Sequence, residues 1–261
     1  MLVQTAKNKD AIHAILEIQL KILKLPTFLK QYASLAKEAV QEGYGYAHYL
    51  NVLSEAELLH REENRARKRL ASAHFPFAKT LNEFQFSEIP SLNAKHILSL
   101  SDAHFVQSKT NLCFLGQTGT GKTHLAIALG TEACKKGYSV AFFTGAHLIN
   151  ALIEAKSQMK LSRLQKKLSK FDLFIVDELG YLPFSKEGAE LLFQFFADRY
   201  QKAATIITSN LEFAQWTQFL IDPTMTAALL DRLTHNALIF TLNAESFRFK
   251  QSKNLKKGVR L

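Results

Sequence analysis

The stretch Gly116-Gln117-Thr118-Gly119-Thr120-Gly121-Lys122-Thr123 determines the fold class that we expect for this 261-residue chain. It fits the pattern G-x-x-x-x-G-K-[ST], in which glycines permit a turn whose N–H groups surround phosphate oxygens at a helix N-terminus. The motif follows the apolar run 111–115 and precedes the helical stretch 124–135, which is the strand–loop–helix context that the mechanism requires. Its lysine can reach the β- and γ-phosphates of a nucleotide, and its threonine hydroxyl can bind Mg²⁺. Residues 116–123 therefore predict a site for ATP and Mg²⁺.

Two further predicted strand ends carry polar groups suited to ATP hydrolysis. The apolar run 173–176 predicts a buried strand that ends at Asp177, which can hold Mg²⁺ through water, and Glu178 follows where it can polarise the attacking water. The run 205–209 ends at Asn210, which can orient that water or sense the γ-phosphate. In isolation, these features are also typical of a surface acidic pair and of a turn. Their order after a phosphate loop favours the ATPase interpretation.

Short apolar runs alternate with helical stretches through the second part of the chain. Continuous apolar strands separated by helices are typical of a parallel sheet covered on both faces, so we predict an α/β fold with a five-stranded sheet. Apolar residues at helical spacing predict a small all-helical N-terminal domain over residues 1–74. Residues 75–95 lose that period and are interpreted as a linker that packs against an ATPase domain over 96–261. The predicted strands cover residues 111–115, 140–144, 173–176, 205–209 and 238–242.

Charge and composition narrow the class of protein. There are 33 Lys and Arg residues against 23 Asp and Glu, and the formal net charge of +10 indicates an anionic partner such as nucleic acid. A basic metabolic enzyme is the alternative. The two cysteines, Cys113 and Cys134, form no CxxC pair, which argues against a disulfide scaffold or a zinc site. We find no signal-peptide pattern and no run of about 18 apolar residues, so we expect a cytoplasmic protein without a membrane span.

One basic segment has a regular charge geometry. Lys156, Lys160, Arg163, Lys167 and Lys170 follow one another at spacings of four, three, four and three, which would align them along one face of a single helix. A solvated amphipathic helix is the alternative, but such a helix normally mixes charges of both signs, and this segment contains no acidic residue. We interpret the stripe as a contact for the phosphates of double-stranded DNA, with weak sequence preference and steep salt dependence.

Two arginines are candidates for a role in ATP hydrolysis. Arg232 lies in an apolar helical stretch, and Arg248 follows the last predicted strand. An arginine that approaches a γ-phosphate from a neighbouring subunit stabilises the charge that develops there. From spacing alone, an ion pair within its own helix is the stronger interpretation for Arg232.

Several motifs together resemble those of the IstB-like ATP-binding proteins of bacterial insertion sequences, relatives of the DnaC helicase loaders among the AAA+ ATPases. The similarity extends over nearly the whole chain, and the later motifs are more specific than the phosphate loop. The chain departs from the family pattern at Gln85, where an aspartate is usual, and in Ala244-Glu245-Ser246-Phe247-Arg248, where a glycine is usual at the first position and a tyrosine at the fourth. The matching segments are Leu23-Lys24-Leu25-Pro26, Ala73-His74-Phe75-Pro76, Lys79-Thr80-Leu81, Asp177-Glu178-Leu179-Gly180-Tyr181-Leu182-Pro183-Phe184, Thr208-Ser209-Asn210, Asp231-Arg232-Leu233-Thr234-His235 and Ser246-Phe247-Arg248.

The resemblance implies an ATP-dependent transposition helper that forms a homo-oligomer on DNA, with ATP sites at subunit interfaces, and recruits a partner transposase. It implies that Arg232 acts in trans on the ATP of a neighbour and that Arg248 is a second sensor of the nucleotide. Most AAA+ proteins carry a C-terminal helical lid, whereas few residues follow Leu242 here, so we expect the lid to be reduced or absent. A neighbouring subunit or the basic C-terminal tail would then close the site.

Three other functions remain open. A replicative helicase loader of the DnaC type would share the ATPase chemistry and differ in its partner. A small-molecule kinase is disfavoured by the pair Asp177-Glu178 and by Asn210. A nucleotide-gated DNA-binding module with negligible turnover would bind ATP without using Glu178 as a base.

Overall fold

The computed structural model describes residues 2–181, 183–244 and 246–247, and it describes side chains from residue 11 onward. The chain divides into two compact units, Met1–Arg67 and Lys68–Leu261. The predicted domain boundaries at residues 74 and 95 stay predictions. Among the described residues, none of the helices has the length and hydropathy of a membrane span.

The first unit is helical, as the spacing of its apolar residues predicts. Its helices are α1 (Leu2–Ile22), α2 (Pro26–Gln41) and the first part of α3 (Tyr46–Ala73). A small apolar cluster centres on Leu20, Tyr32 and Leu53, one residue from each helix. The buried carboxylate of Glu57 on α3 accepts a hydrogen bond of 2.9 Å from the backbone N–H of Thr27, at the start of α2. These contacts hold the three helices together within this unit.

The second unit is built on a parallel sheet, which has five strands among the described residues. In chain order they are β1 (Asn111–Gly116), β2 (Val140–Thr144), β3 (Leu173–Asp177), β4 (Ala204–Ser209) and β5 (Ala237–Leu242). The order across the sheet is β2-β3-β4-β1-β5, and every pairing is parallel. Each strand lies within one residue of its predicted bounds. The predicted α/β class and five-stranded parallel sheet are therefore confirmed.

Helices cover both faces of this sheet. After α3 they are α4 (Ala94–Ser99), α5 (His104–Gln107), α6 (Lys122–Lys135), α7 (Gly145–Ser157), α8 (Leu161–Leu168), α9 (Lys186–Arg199), α10 (Thr217–Leu220) and α11 (Pro223–Thr234). Helix α6 packs on the face that contains Phe114, Ile175 and Ile206, whereas α7, α9 and α11 pack on the face that contains Phe174 and Ile207. Neighbouring residues of one strand belong to different cores because strand side chains alternate in direction.

The strand order brings three loops to one edge of the sheet. Strand β4 lies between β3 and β1, with Val176 opposite Ile207 and Phe114 opposite Thr208. The carboxyl ends of β1, β3 and β4 are therefore neighbours. In open parallel sheets, ligands bind outside these carboxyl ends, so this edge is where a functional site is expected.

Candidate nucleotide-binding site

The phosphate loop connects β1 to α6. Gly121 is the residue before the helix and has a φ of 93°, and Gly119 has a φ of 84°, both in the left-handed region that favours glycine. A Cβ atom on Gly121 would lie 2.6 Å from the ring of Phe84, so a side chain there would collide as well as strain the backbone. The loop leads directly into the N-terminus of α6, where the free N–H groups and the helix dipole favour a bound anion.

The lysine of the loop is held against the loop itself. Lys122 is the first residue of α6 and is only 8% exposed. Its Nζ donates to the carbonyl oxygen of Gly116 at 2.7 Å and to that of Gln117 at 2.8 Å. These hydrogen bonds keep the ammonium group within reach of phosphates bound at the loop.

The carboxylate at the end of β3 lies beside the threonine of the loop. Thr123 Oγ1 donates to Asp177 Oδ1 at 2.8 Å and lies 3.1 Å from Oδ2. Thr208 Oγ1, from β4, donates to Asp177 Oδ1 at 2.5 Å. Burial raises the pKa of Asp177, and the hydrogen bonds from Thr208 and Thr123 oppose this without cancelling it. The carboxylate is thus oriented by two hydroxyl groups from different elements.

The chemistry of this oxygen pair fits Mg²⁺. Within residues 2–181, 183–244 and 246–247, no group of three or more His, Cys, Asp or Glu side chains could hold a metal ion by itself. Mg²⁺ is usually bound by one or two protein oxygens together with waters and substrate phosphates. The Thr123 hydroxyl and the Asp177 carboxylate provide such oxygens next to the loop.

A cavity of about 310 Å³ opens beside the loop. Glu178 and Asn210 both line it, so the structure brings these two predicted residues together with the phosphate loop. The backbone of Glu178 has a φ of 55°, which is uncommon for a residue other than glycine. The other residues that line the cavity are Phe77, Lys79, Glu83, Phe84, Gln85, Glu88, Ile89, Thr118, Gly119, Thr120, Gly121, Lys122, Thr123, His124, Tyr181, Thr208, Ala244 and Phe247.

One side of this cavity is formed by residues 77–89, which sequence reasoning identified only as a linker. The ring of Phe84 lies edge-on to Phe86, with 4.8 Å between centroids, and to His124, with 5.3 Å. His124 Nε2 forms a hydrogen bond of 2.8 Å with the carbonyl oxygen of Thr80. The segment has no regular period, and the sequence signals of a role at the site are its aromatic residues and its place in the family pattern, which includes Gln85.

Arg232 lies at the opposite edge of the sheet from the phosphate loop. It lines a second cavity, of about 120 Å³, together with Asn111 and Asn236, which lie where β1 begins and just before β5 begins. Its guanidinium carbon is 4.9 Å from the ring centroid of Phe193, and Nη1 donates to the carbonyl oxygen of Ala228 at 2.8 Å. Arg232 is therefore remote from the nucleotide cavity of its own chain.

The predictions for Arg248 and for the basic tail lie outside the described residues. The chain after β5 does approach the phosphate loop, since the N–H of Phe247 donates to the carbonyl oxygen of Gly119 at 3.0 Å. A Cβ atom on Gly119 would collide with the Oγ atom of Ser246. The segment that leads to Arg248 is thus in contact with the loop.

The five basic residues of the predicted stripe do not lie on one helix, so that part of the prediction is wrong. Helix α7 ends at Ser157, and α8 begins at Leu161. Met159 has a φ of 55°, and the N–H of Lys160 donates to the carbonyl oxygen of Ala155 at 2.7 Å, the hydrogen bond of a turn that ends a helix. In proteins generally, the residue with positive φ at such a helix end is most often glycine. Because this chain has methionine there, the sequence carries no clear signal of the helix end.

Charge compensation in this region also differs from the prediction. Lys156 Nζ forms an ion pair of 2.8 Å with Glu187 of α9, an acidic residue distant in sequence. The other members, Lys160, Arg163, Lys167 and Lys170, are exposed, and Arg163 and Lys167 share α8. Contact of this surface with DNA stays a prediction.

Comparison with known proteins identifies the family. The family model for the IstB-like ATP binding protein matches residues 18–255. The relative from Geobacillus stearothermophilus, named as an ATP-binding protein of insertion sequence IS5376, is 35% identical over 231 residues, which cover 88% of this chain and 92% of the relative. A second relative, named for insertion sequence IS21 of Pseudomonas aeruginosa, is 36% identical over 244 residues, which cover 94% of this chain and 91% of the relative.

Solved structures show the same fold. AMPPCP-bound DnaA from Aquifex aeolicus matches with a TM-score of 0.55 and 21% identity, covering 72% of this chain and 57% of DnaA. DnaI matches with a TM-score of 0.53 and 17% identity, covering 69% of this chain and 92% of DnaI. These likenesses establish the AAA+ phosphate-loop fold and, at such low identity, nothing more. Because the family model and both relatives match most of its length, the chain belongs to the IstB-like ATP-binding proteins.

Proposed function

We propose that this protein is a Mg²⁺-dependent ATPase that assembles on double-stranded DNA and presents that DNA to a partner transposase. The observation that carries the proposal is the position of Glu178 and Asn210 at the cavity beside the phosphate loop, next to the Thr123–Asp177 pair. Nucleotide binding alone requires only the loop. A carboxylate and an amide at the edge where the γ-phosphate would lie support hydrolysis as well.

In the proposed reaction, Lys122 exchanges its carbonyl partners for oxygens of the β- and γ-phosphates. Thr123 and Asp177 would hold Mg²⁺, which neutralises charge between these phosphates when bound. Glu178 accepts a proton from water as the water oxygen bonds to the γ-phosphorus and the bond to the β–γ bridging oxygen breaks. The products are ADP and inorganic phosphate. Asn210 orients the attacking water or the γ-phosphate.

The position of Arg232 supports assembly into an oligomer. The phosphate loop follows the carboxyl end of β1, whereas Arg232 lies near the amino end of β5, which has six residues. A strand of that length spans about 20 Å, so Arg232 cannot reach the ATP bound to its own subunit. In the proposed assembly it approaches the ATP of a neighbour, where a positive charge stabilises the transition state. ATP sites would then lie between subunits.

The basic surface and the family support DNA as the partner on which the protein assembles. A net charge of +10 and the exposed cluster Lys160, Arg163, Lys167 and Lys170 are suited to contacts with phosphates. The names of the relatives connect them with insertion sequences, which supports a transposase as the protein partner. The likeness to DnaI concerns the fold alone and therefore gives no support to a helicase as that partner.

Two substitutions test the ATPase. Lys122→Ala should abolish ATP binding, because the loop loses its cation. Glu178→Gln should bind ATP but lower turnover by about 10²–10⁴-fold, since only the base is removed, and should remain on DNA in the ATP-bound form. Fluorescent-nucleotide binding, phosphate release and DNA co-sedimentation measure the three properties. If Glu178→Gln hydrolysed ATP at the wild-type rate, the assignment of Glu178 as the base would be wrong. If the wild-type protein bound ATP on DNA without hydrolysing it, the protein would be a nucleotide-gated DNA-binding module.

The partner is tested by genetic context and by co-purification. A transposase reading frame immediately upstream, within terminal inverted repeats, is the context that we expect. The product of that frame should co-purify with the ATP-bound, DNA-bound protein and not with Lys122→Ala. Capture of a replicative helicase under the same conditions would instead favour the loader function.

A further inference from the structure

We infer that Thr208 is a positioning residue for ATP hydrolysis, because its single hydroxyl group holds both the carboxylate of Asp177 and the backbone of Glu178. The inference rests on the proposed ATPase function, in which these two residues bind the metal ion and act as the base. It assigns a role to a residue that carries no charge and that sequence reasoning included only as part of the motif Thr208-Ser209-Asn210.

The hydroxyl group uses its donor and its acceptor capacity at the same time. Thr208 lies near the carboxyl end of β4 and is fully buried. Its Oγ1 donates to Asp177 Oδ1 at 2.5 Å and accepts a hydrogen bond of 2.9 Å from the N–H of Glu178. A hydroxyl group has one proton to donate, so the donor direction is fixed by the carboxylate, which can only accept. The orientation of the side chain is therefore determined by both partners.

The backbone that this hydroxyl group holds is strained. Glu178 has a φ of 55°, and residues other than glycine stay in this region only when their surroundings hold them there. Thr208 holds two consecutive N–H groups, since its own carbonyl oxygen accepts from the N–H of Leu179 at 2.9 Å. Glu178 is exposed and lines the cavity, so Thr208 holds the backbone segment from which the proposed base extends.

The next two residues of the motif have different contacts. Ser209 is also buried, and its Oγ donates to the carbonyl oxygen of Leu179 at 2.7 Å and accepts from the N–H of Leu211 at 3.1 Å. Asn210 is exposed at the cavity. Thr208 therefore holds the N–H groups of Glu178 and Leu179, and Ser209 connects Leu179 to Leu211 on the far side of Asn210. Thr208 and Asn210 both line the cavity, and Asn210 is the exposed one.

Isosteric variants separate the hydroxyl group from the shape of the side chain. Thr208→Val keeps the volume and removes the hydroxyl group, whereas Thr208→Ser keeps the hydroxyl group. Thr205→Val is the matched control, because Thr205 is another buried threonine of the same strand whose Oγ1 is 3.5 Å from Arg199 Nε, away from the site. If Thr208→Val fails to fold, Thr208→Cys replaces the hydroxyl group with a weak donor and acceptor of similar size.

Turnover and nucleotide affinity give the first measurement. For Thr208→Val we expect kcat to fall by about tenfold or more while the Kd for ATP stays within about threefold, because the loop that binds phosphate is untouched. Thr208→Ser and Thr205→Val should stay within about threefold of the wild-type kcat. A kcat for Thr208→Val equal to that of wild type, or a drop shared by Thr205→Val, would overturn the inference.

Amide hydrogen exchange at Glu178 gives a second measurement that does not depend on turnover. The Glu178 N–H loses its acceptor in Thr208→Val and keeps it in Thr208→Ser, so its exchange should accelerate by about tenfold or more in the first variant alone. Unchanged protection of this amide in Thr208→Val would refute the positioning role even if ATP hydrolysis were lost. If instead the proposed function were wrong, Glu178→Gln would hydrolyse ATP at the wild-type rate, while exchange of the amide at residue 178 would still accelerate in Thr208→Val.

Discussion

Two inactive variants should restore ATP hydrolysis when they are mixed, if Arg232 acts on a neighbouring subunit. Lys122→Ala lacks the loop lysine but keeps Arg232, and Arg232→Ala has the opposite defect. Each variant alone lacks one component at every site. Loss of a trans-acting arginine of this kind lowers turnover by roughly 10³–10⁵-fold, so the Arg232→Ala assembly should be almost inactive.

The structure predicts that Arg232→Ala remains folded. The side chain lies 4.9 Å from the ring of Phe193 and donates one hydrogen bond to the carbonyl oxygen of Ala228. Loss of such a cation–π contact destabilises a protein by about 1 kcal/mol, which lowers the Tm of a chain of this size by about 2–4 °C. Thermal unfolding of the variant therefore separates a catalytic defect from a structural one.

The recovered activity can be calculated from the pairing of subunits. In an equal mixture, half of the subunits keep Lys122, and half of those have a neighbour that keeps Arg232. About one quarter of the sites are then complete in a head-to-tail assembly, and the fraction falls on either side of the equal ratio. Phosphate release with DNA, measured across the mixing ratio, should show this maximum.

Mixed assemblies must be verified independently, for example by co-purification of an untagged variant with a tagged one. Absence of any recovery in verified mixed assemblies would refute the trans role of Arg232. Wild-type turnover by Arg232→Ala alone would refute any role in hydrolysis.

Three other predictions concern stability and DNA contact. Met159→Gly should stabilise the protein by about 1 kcal/mol relative to Met159→Ala in urea unfolding, because glycine adopts a positive φ without strain. The Met159 side chain is 96% exposed, so both substitutions lose little packing. Equal stabilities of the two variants would contradict the argument. Asp177→Asn should raise the Tm of the nucleotide-free protein at pH 7 and abolish ATP turnover. Because folding raises the pKa of Asp177, the stability of the wild-type protein falls as the pH rises from the ordinary value of 3.8 through the raised pKa. The gain in Tm from Asp177→Asn, measured by thermal unfolding, should therefore shrink toward pH 3.8. An unchanged Tm of the variant at pH 7 would refute this prediction. Replacing Arg163 and Lys167 together by alanine should reduce the slope of log affinity against log salt for random duplex DNA by about 2, whereas Lys202→Ala, an exposed control, should not change it. An unaltered slope in the double variant would move the DNA contact to another surface.

The strands and the phosphate loop were predictable because their signals are local. Parallel strands that are buried on both faces appear as continuous apolar runs, and each of the five runs became a strand within one residue of its predicted bounds. The loop requires glycines before a helix N-terminus, a constraint that acts over eight consecutive residues. Asp177, Glu178 and Asn210 could be proposed for the same reason, since each follows the end of an apolar run.

The helix end at Met159 could not be predicted, because methionine is not a residue type that indicates the end of a helix. The three residues between α7 and α8 divide the basic segment between two helices, yet they include neither glycine nor proline. The ion pair between Lys156 and Glu187 was equally hidden, since α9 comes some thirty residues later in the chain. Spacing within one segment carries no information about a charge supplied by another.

Short-range backbone geometry and the periodicity of burial specify the fold class, the phosphate loop and the chemistry available at three strand ends, so these features can be predicted from the amino-acid sequence alone. Which groups meet depends on the tertiary structure. The order β2-β3-β4-β1-β5 places Thr208 against Asp177, packing of the 77–89 segment places Phe84 against Gly121, and the length of the sheet separates Arg232 from the loop of its own chain. These contacts join residues far apart in sequence, and their geometry follows from strand order and core packing, which no single segment encodes.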